Sequence, residues 1–236
     1  MDTLRVGALV TDPPFAGMVG GGFDVDLAAA VGAALGLSVE RIAPDGPEVD
    51  DLLSSLAAGA YDCVVAAVTV TADRRRTVAF APPHLVSGHA LAVNAARHPA
   101  VRSVDDLGGL VVAVRRGSVG HSIAQRLHAE GRIGAVRPYA QGDIHLAARE
   151  LEAGECDAMM ALAPTLGELV RSLPDVDEVQ RGLSREEIAI AVAPDDTALL
   201  AQIATARERL EADGSLQELR RKWLGNPYRD QSLAAH

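Results

Sequence analysis

The run Tyr61-Asp62-Cys63-Val64-Val65-Ala66-Ala67-Val68-Thr69-Val70-Thr71-Ala72-Asp73-Arg74 decides how this chain is read. It opens with β-branched residues almost uninterrupted by charge, the composition of a strand covered on both faces. It closes with two hydroxyls, Thr69 and Thr71, and a cation, Arg74, where such a strand runs out into a turn. In open α/β sheets ligands sit at the carboxyl ends of strands. An arginine held there offers a planar fork of donors matched to a carboxylate. The competing reading is a solvated surface arginine within the cluster Arg74-Arg75-Arg76.

Strand and helix signals alternate on either side of this run. Leu4 to Val10 reads as a strand, and Asp12-Pro13-Pro14-Phe15 with Gly20-Gly21-Gly22 as a loop. Leu27, Val31 and Leu35 recur at helical spacing, so Asp24 to Leu35 is a helix stopped at Gly36. Leu37 to Ile42 is a strand, and Val49 to Ala58 a helix ended by Gly59. This order builds a parallel sheet.

Ala90 to Asn94 reads as a strand leaving that unit, and a second α/β unit follows. Ser103-Val104-Asp105-Asp106 fits a helix N-cap, and Leu110 to Val114 is a strand. Gly117-Ser118 precedes a helix carrying Ile123 and Leu127. Val136 to Tyr139, Ile144 to Glu152 and Ala158 to Leu162 read as strand, helix and strand. Ile188 to Val192 reads as a returning strand, Thr197 to Leu210 as a helix, and Ser215-Leu216-Gln217-Glu218 as the capping box of a last helix. The fold class is therefore α/β in two lobes, each a mostly parallel sheet flanked by helices, joined by a two-strand hinge. Residues 1–91 and 190–236 form the first lobe and 92–189 the second.

Composition narrows the function classes. The chain has 236 residues, and its net charge is −10, from 22 basic and 32 acidic residues. A field of that sign disfavours nucleic acid and anionic membranes, although a local cluster can still hold a small anion. Aromatics make up only 3%, too few for a stacking platform. No apolar run reaches the roughly 18 residues that a membrane span needs. Cys63 and Cys156 sit in separate apolar runs and read as unbridged core residues. The seven histidines show no metal-ligand spacing. No nucleophile elbow, phosphate loop or dinucleotide fingerprint is present, and no cofactor is expected.

Thr69-Val-Thr71-Ala-Asp73-Arg74, followed by Val78-Ala-Phe80-Ala-Pro-Pro83-His84 and Gly88, resembles the core signature of polar-amino-acid-type (family 3) extracellular solute-binding proteins. These are the bilobed binding components of ABC importers, with the type II periplasmic-binding-protein fold. Further matches run in order along almost the whole chain. They include Pro14-Phe15, Gly22-Phe23-Asp24-Val25-Asp26-Leu27, Leu53 to Asp62, Asp106 to Val114 with Gly117-Ser118, Leu151 to Ala158, and Asp213-Gly214-Ser215 with Lys222-Trp223.

The resemblance implies a monomer that closes by hinge motion on a small carboxylate-bearing solute, an amino acid or close relative, and hands it to an ABC permease. It implies no catalysis. It also implies an extracytoplasmic protein, periplasmic or at the cell surface, with an export leader removed ahead of Met1-Asp2-Thr3-Leu4, which enters a strand directly with no basic-then-apolar stretch.

By the same resemblance, Arg74 clamps the ligand's carboxylate, Thr69 adds a hydroxyl or backbone N–H, and Ala67 lends its carbonyl. From the second lobe, Gly117-Ser118-Val119-Gly120 at a helix start presents N–H groups, with Ser118 and Val119 on the ligand. Arg115 matches a position that sometimes carries a cleft cation, with a solvated arginine as the alternative. His84 stands where the family often has tyrosine and reads as a buried, hydrogen-bonded residue.

Two departures bear on the ligand. Leu162 stands where most amino-acid binders of the family place an acid for the ligand's ammonium, and leaving that charge unpaired costs several kcal/mol. Asp12, with Phe15 nearby, and Val49 stand where the family tends to place aromatics over the ligand. Asp12 takes over the ammonium, or the ligand has none; as a third reading Asp12 is a turn residue beside Pro13. Three rival functions stay open: a cyclohexadienyl or prephenate-type dehydratase on the same scaffold, the sensing domain of a receptor, and a lobe pair that binds nothing. A dehydratase needs a general acid or base beside the clamp, and neither Glu155, Asp157 nor Leu162 offers a clear one.

Overall fold

The computed structural model describes residues 2–19, 21–44, 46 and 48–226. The chain forms two compact units, Met1–Val86 with Glu186–His236, and Ser87–Arg185.

The first unit opens with β1 (Thr3–Gly7), α1 (Phe23–Leu35), β2 (Ser38–Ile42), α2 (Val49–Ala57) and β3 (Cys63–Val64), followed by β4 (Ala79–Phe80) and β5 (Leu85–Ser87). The second contains β6 (His89–Asn94), β7 (Val111–Arg115), α3 (Val119–Ala129), β8 (Ala135–Tyr139), α4 (Ile144–Ala153), β9 (Ala158–Leu162), α5 (Ala163–Val170) and β10 (Val176–Gln180). The chain returns to the first unit through β11 (Glu186–Ile188), β12 (Ala191–Val192), α6 (Thr197–Ala212) and α7 (Ser215–Leu224).

Both sheets are mixed. The first runs β2-β1-β3-β12-β4, with β1 parallel to β2 and β3, and β12 antiparallel to β3 and β4. The second runs β10-β6-β9-β7-β8, with β7 parallel to β8 and β9, and β6 antiparallel to β9 and β10. β5 pairs with β11. The antiparallel members are the strands at which the chain changes unit, which the alternation of strand and helix signals does not encode.

The second sheet separates its two faces by strict alternation. Leu91, Val93, Val112, Val114 and Met160 pack with Leu127 of α3 on one side. Ala90, Ala92, Ala113 and Met159 pack with Ile144 and Leu151 of α4 and Leu166 of α5 on the other. Successive residues of a strand point to opposite faces, so helices on both sides turn each strand into an unbroken apolar run. In the first unit Leu52, Leu53 and Leu56 of α2 cover Val64, Ala66 and Val68. Cys63 and Cys156 are both buried and unbridged.

Four local expectations are corrected. The decisive run is a strand only at Cys63–Val64, although Val65, Ala66 and Val68 are all at most 2% exposed. Its β-branched residues report burial rather than extension, because Ala67 at φ +46 turns the chain out of the pleat. Ser103 and Asp106 do form a capping box, but it caps a single 3-10 turn, Val104–Asp106. Ser215 and Glu218 do not form one. Gly214 is the N-cap of α7 at φ +86, and Asp213 takes the Ser215 N–H at 2.9 Å. The strand expected over Ile188 to Val192 is split into β11 and β12. The helix α5 and the edge strand β10 had no clear signal: α5 is only eight residues long and opens with Ala163-Pro164, and β10, VDEVQ, is polar at alternate positions. Among the described residues, no helix is long and apolar enough to cross a membrane.

Candidate ligand-binding site

Arg74 begins a 3-10 turn that follows the decisive run. The Thr71 hydroxyl fixes the start of that turn by accepting the Arg74 N–H at 3.2 Å. The guanidinium is mostly buried, with its side chain 12% exposed. Its Nε donates to Asp50 Oδ1 of α2 at 2.9 Å and its Nη1 to the Thr69 carbonyl at 3.0 Å. Among the described residues Nη2 makes no hydrogen bond, so both its N–H donors stay available to an anion.

Thr69 is buried, and its hydroxyl donates to Glu186 Oε2 at 2.7 Å. The alternative between hydroxyl and backbone N–H is thereby narrowed, since the hydroxyl already has an acceptor. Ala67 is 5% exposed and lies at φ +46. Asp12 and Phe15 belong to the loop before α1 and are 1% and 0% exposed. Asp12 and Ala16 exchange backbone hydrogen bonds at 3.2 and 2.8 Å, and the Phe15 ring packs edge-on against Phe23. Phe15 is thus a core residue in this structure. Val49 is the first residue of α2 and 7% exposed.

In the second unit the expected helix start is present, but most of its donors are used. Ser118 is the N-cap of α3, accepting the His121 N–H at 3.1 Å and donating its hydroxyl to the Arg115 carbonyl at 2.7 Å. The Gly117 N–H goes to His121 Nδ1 at 3.3 Å, that of Ser118 to the Arg115 carbonyl at 3.3 Å, and that of Gly120 to His89 Nε2 at 3.0 Å. Among the described residues, Val119 alone of the four has no acceptor for its N–H, so the expectation of a row of free donors shrinks to one. His89 also lies opposite Leu162 in the β6–β9 register, and Leu162 is the N-cap of α5. Arg115 donates through Nη1 to the Gln141 side chain at 2.8 Å.

Sequence reasoning missed Glu186 and His89, each at most 4% exposed. A buried carboxylate or imidazole needs a partner, but those partners lie 31 to 117 positions away in the chain, and local pattern carries no sign of them. His84 is a correction. It is 2% exposed, yet neither ring nitrogen has a hydrogen-bond partner among the described residues. Its ring instead lies 5.8 Å from that of Phe23. Burial, then the charges of Arg220 and Arg207, push its pKa down to about 3, so it is neutral in the folded protein. Among the described residues no group of three or more His, Cys, Asp and Glu side chains could hold a metal ion.

Known proteins are similar to this chain along nearly its whole length. The L-cystine-binding protein TcyJ of Escherichia coli K12 is 29% identical over 228 residues, covering 94% of this chain and 83% of TcyJ. The ABC transporter arginine-binding protein 1 of the same organism is 25% identical, covering 94% and 91%. The solved structure of an ancestral arginine-binding protein bound to arginine matches with a TM-score of 0.85 and 31% identity, over 95% of this chain and 99% of that one. These relatives are binding proteins, not enzymes. The profile of the bacterial extracellular solute-binding proteins, family 3, matches residues 4–226, and the chain belongs to that family.

Proposed function

We propose that this protein captures an amino acid and delivers it to an ABC permease from outside the cytoplasm. The observation that carries the reading is the state of Arg74. Its guanidinium is fixed by Asp50 and the Thr69 carbonyl and still has the whole of Nη2 to offer. A preorganised, mostly buried fork of this kind binds a carboxylate with little ordering cost. The Thr69 N–H adds a donor to the same carboxylate. The Ala67 carbonyl and the buried Asp12 carboxylate take the ligand's ammonium in place of the acid that Leu162 replaces. The names of the relatives, which bind cystine and arginine, support an amino acid as the solute.

Leu162, 8% exposed, favours one second reading, an organic acid with no amine. A thermal-shift screen against amino acids, keto acids, hydroxy acids and dicarboxylates separates the two. A solute at about a hundred times its Kd stabilises the fold by roughly 2.7 kcal/mol. The expected result is a shift with an amino acid that disappears in Arg74→Ala. A shift only with amine-free acids would replace the amino-acid reading, and a shift that survives Arg74→Ala would remove the clamp.

A further inference from the structure

Thr69 is held in three ways, all within the first unit. It stands opposite Ile188 in an antiparallel bridge. The bonds of that bridge come from its neighbours, the Val70 N–H to the Glu187 carbonyl at 2.8 Å and the Ala189 N–H to the Val68 carbonyl at 3.1 Å. A residue flanked in this way turns its own N–H and carbonyl away from the partner strand. The Thr69 carbonyl, so directed, accepts Arg74 Nη1 at 3.0 Å. Among the described residues the Thr69 N–H beside it has no acceptor. The side chain supplies the third hold, because its hydroxyl donates to Glu186 Oε2 at 2.7 Å. Both residues are buried. A buried acid is costly, and an apolar pair of similar volume would fill the same space without desolvating a carboxylate. Stability alone does not ask for this pair.

We propose that Glu186 is a positioning residue for carboxylate capture, holding Thr69 so that its N–H and the Arg74 fork on its carbonyl face the solute's carboxylate together. The proposal deepens the amino-acid reading above and rests on it for the effect on affinity. The hold of Glu186 on the Val68–Val70 segment does not depend on that reading. Glu186 acts through Thr69 and need not touch the solute. Thr69 is β-branched and stiff at χ1, so a fixed hydroxyl also fixes the side chain against the backbone that carries both donors. The role calls for an acceptor oxygen within reach of the hydroxyl. A hydroxyl spent on Glu186 is not given to the solute, so Thr69→Val alters the site only through this tie.

The test is a double-mutant cycle on the full chain. It is read by calorimetric affinity for L-arginine, or for whichever amino acid the thermal screen returns, and by denaturant unfolding. Glu186→Gln keeps an acceptor oxygen and should stay within about threefold of the wild-type affinity. Glu186→Met and Thr69→Val should each weaken binding about tenfold, the size of one lost buried hydrogen bond. The double variant should bind about as weakly as either single one, not about a hundredfold more weakly than the wild type. It should nevertheless be more stable than Thr69→Val, which leaves the Glu186 carboxylate buried without that donor. Stability that recovers while affinity does not is the outcome that a merely structural pair would not produce. Wild-type affinity in Glu186→Met, additive losses in the double variant, or affinity that returns with stability each overturn the proposal. If Glu186→Met does not fold, Thr69→Val decides, and undiminished binding by it sinks the idea. Hydrogen exchange at the Val70 amide without solute gives a reading free of any ligand. It should be about tenfold faster in Glu186→Met than in the wild type, and near the wild-type rate in Glu186→Gln. If no amino acid binds the wild type, the amino-acid reading fails by itself. Equal Val70 exchange in the wild type and Glu186→Met would then overturn the hold of Glu186 as well.

Discussion

Two arginines of the first unit show how environment divides one residue type into two roles. Arg220 of α7 is 0% exposed. Its Nη1 and Nη2 meet both carboxylate oxygens of Glu211 at 2.8 Å, and its Nε and Nη2 donate to the His84 carbonyl at 3.0 and 2.5 Å. That fork is fully engaged by the protein. Arg74 is nearly as shielded, yet its carboxylate partner Asp50 is 63% exposed and, among the described residues, its Nη2 is unused. A saturated buried cation ties elements together, whereas one that keeps a nitrogen unspent is prepared for something that arrives. Burial alone does not mark a binding arginine; unspent donors do.

The largest effect should come from stranding the saturated one. Glu211→Ala leaves the Arg220 charge buried without its carboxylate and should cost about 3–5 kcal/mol of stability by denaturant unfolding. A loss below about 1 kcal/mol would place Arg220 with the surface pairs and remove the contrast. Arg74→Ala should do the reverse. It should weaken amino-acid binding by about 2–5 kcal/mol in calorimetry while changing stability much less, because a desolvated charge-assisted contact to the solute is lost rather than a structural tie.

His84, whose carbonyl holds Arg220, gives a pH signature of the same region. With the folded pKa near 3 and an unfolded value near 6.5, the unfolded chain takes up a proton that the folded chain refuses. Its contribution is therefore complete above about pH 6.5 and declines as the pH falls toward 3. The decline should amount to about 2 kcal/mol between pH 7 and 5. Unfolding curves of His84→Phe over that range should lack this component, and an unaltered pH profile would show that the ring titrates normally. The smallest effect belongs to Asp50→Ala. Its exposed pairing with Arg74 should contribute at most about 1 kcal/mol to stability, and a much larger loss would move Arg74 toward the Arg220 type.

Much of the fold was legible before any coordinates. Helices α1, α2, α4 and α6 and strands β2, β7 and β9 follow from spacing and stop signals within their own segments, and their ends agree to a residue or two. The unread parts share a physical cause. The short helix α5, the polar edge strand β10 and the divided return strand β11–β12 depend on pairing with distant chain, so their own residues carry little periodic signal. The site divides in the same way. Arg74 and Thr69 could be named because a cation and hydroxyls after a buried run are conspicuous, and Ser118 because a hydroxyl after glycine caps a helix. Phe15 could not be separated from the core, since an aromatic beside a loop looks the same whether it faces solvent or Phe23.

The class of the protein is written in local pattern. Alternating apolar periodicities dictate an α/β chain, and the ordered motifs from Pro14 to Trp223 assign it to the solute-binding family. Tertiary structure alone decided how each polar group is spent. Glu186 takes the Thr69 hydroxyl, His89 takes the Gly120 N–H, and Arg220 is saturated where Arg74, among the described residues, is not. The reason is that secondary structure follows from near neighbours, through propensity and period. The satisfaction of a buried donor or acceptor depends on partners that only folding brings within about 3 Å.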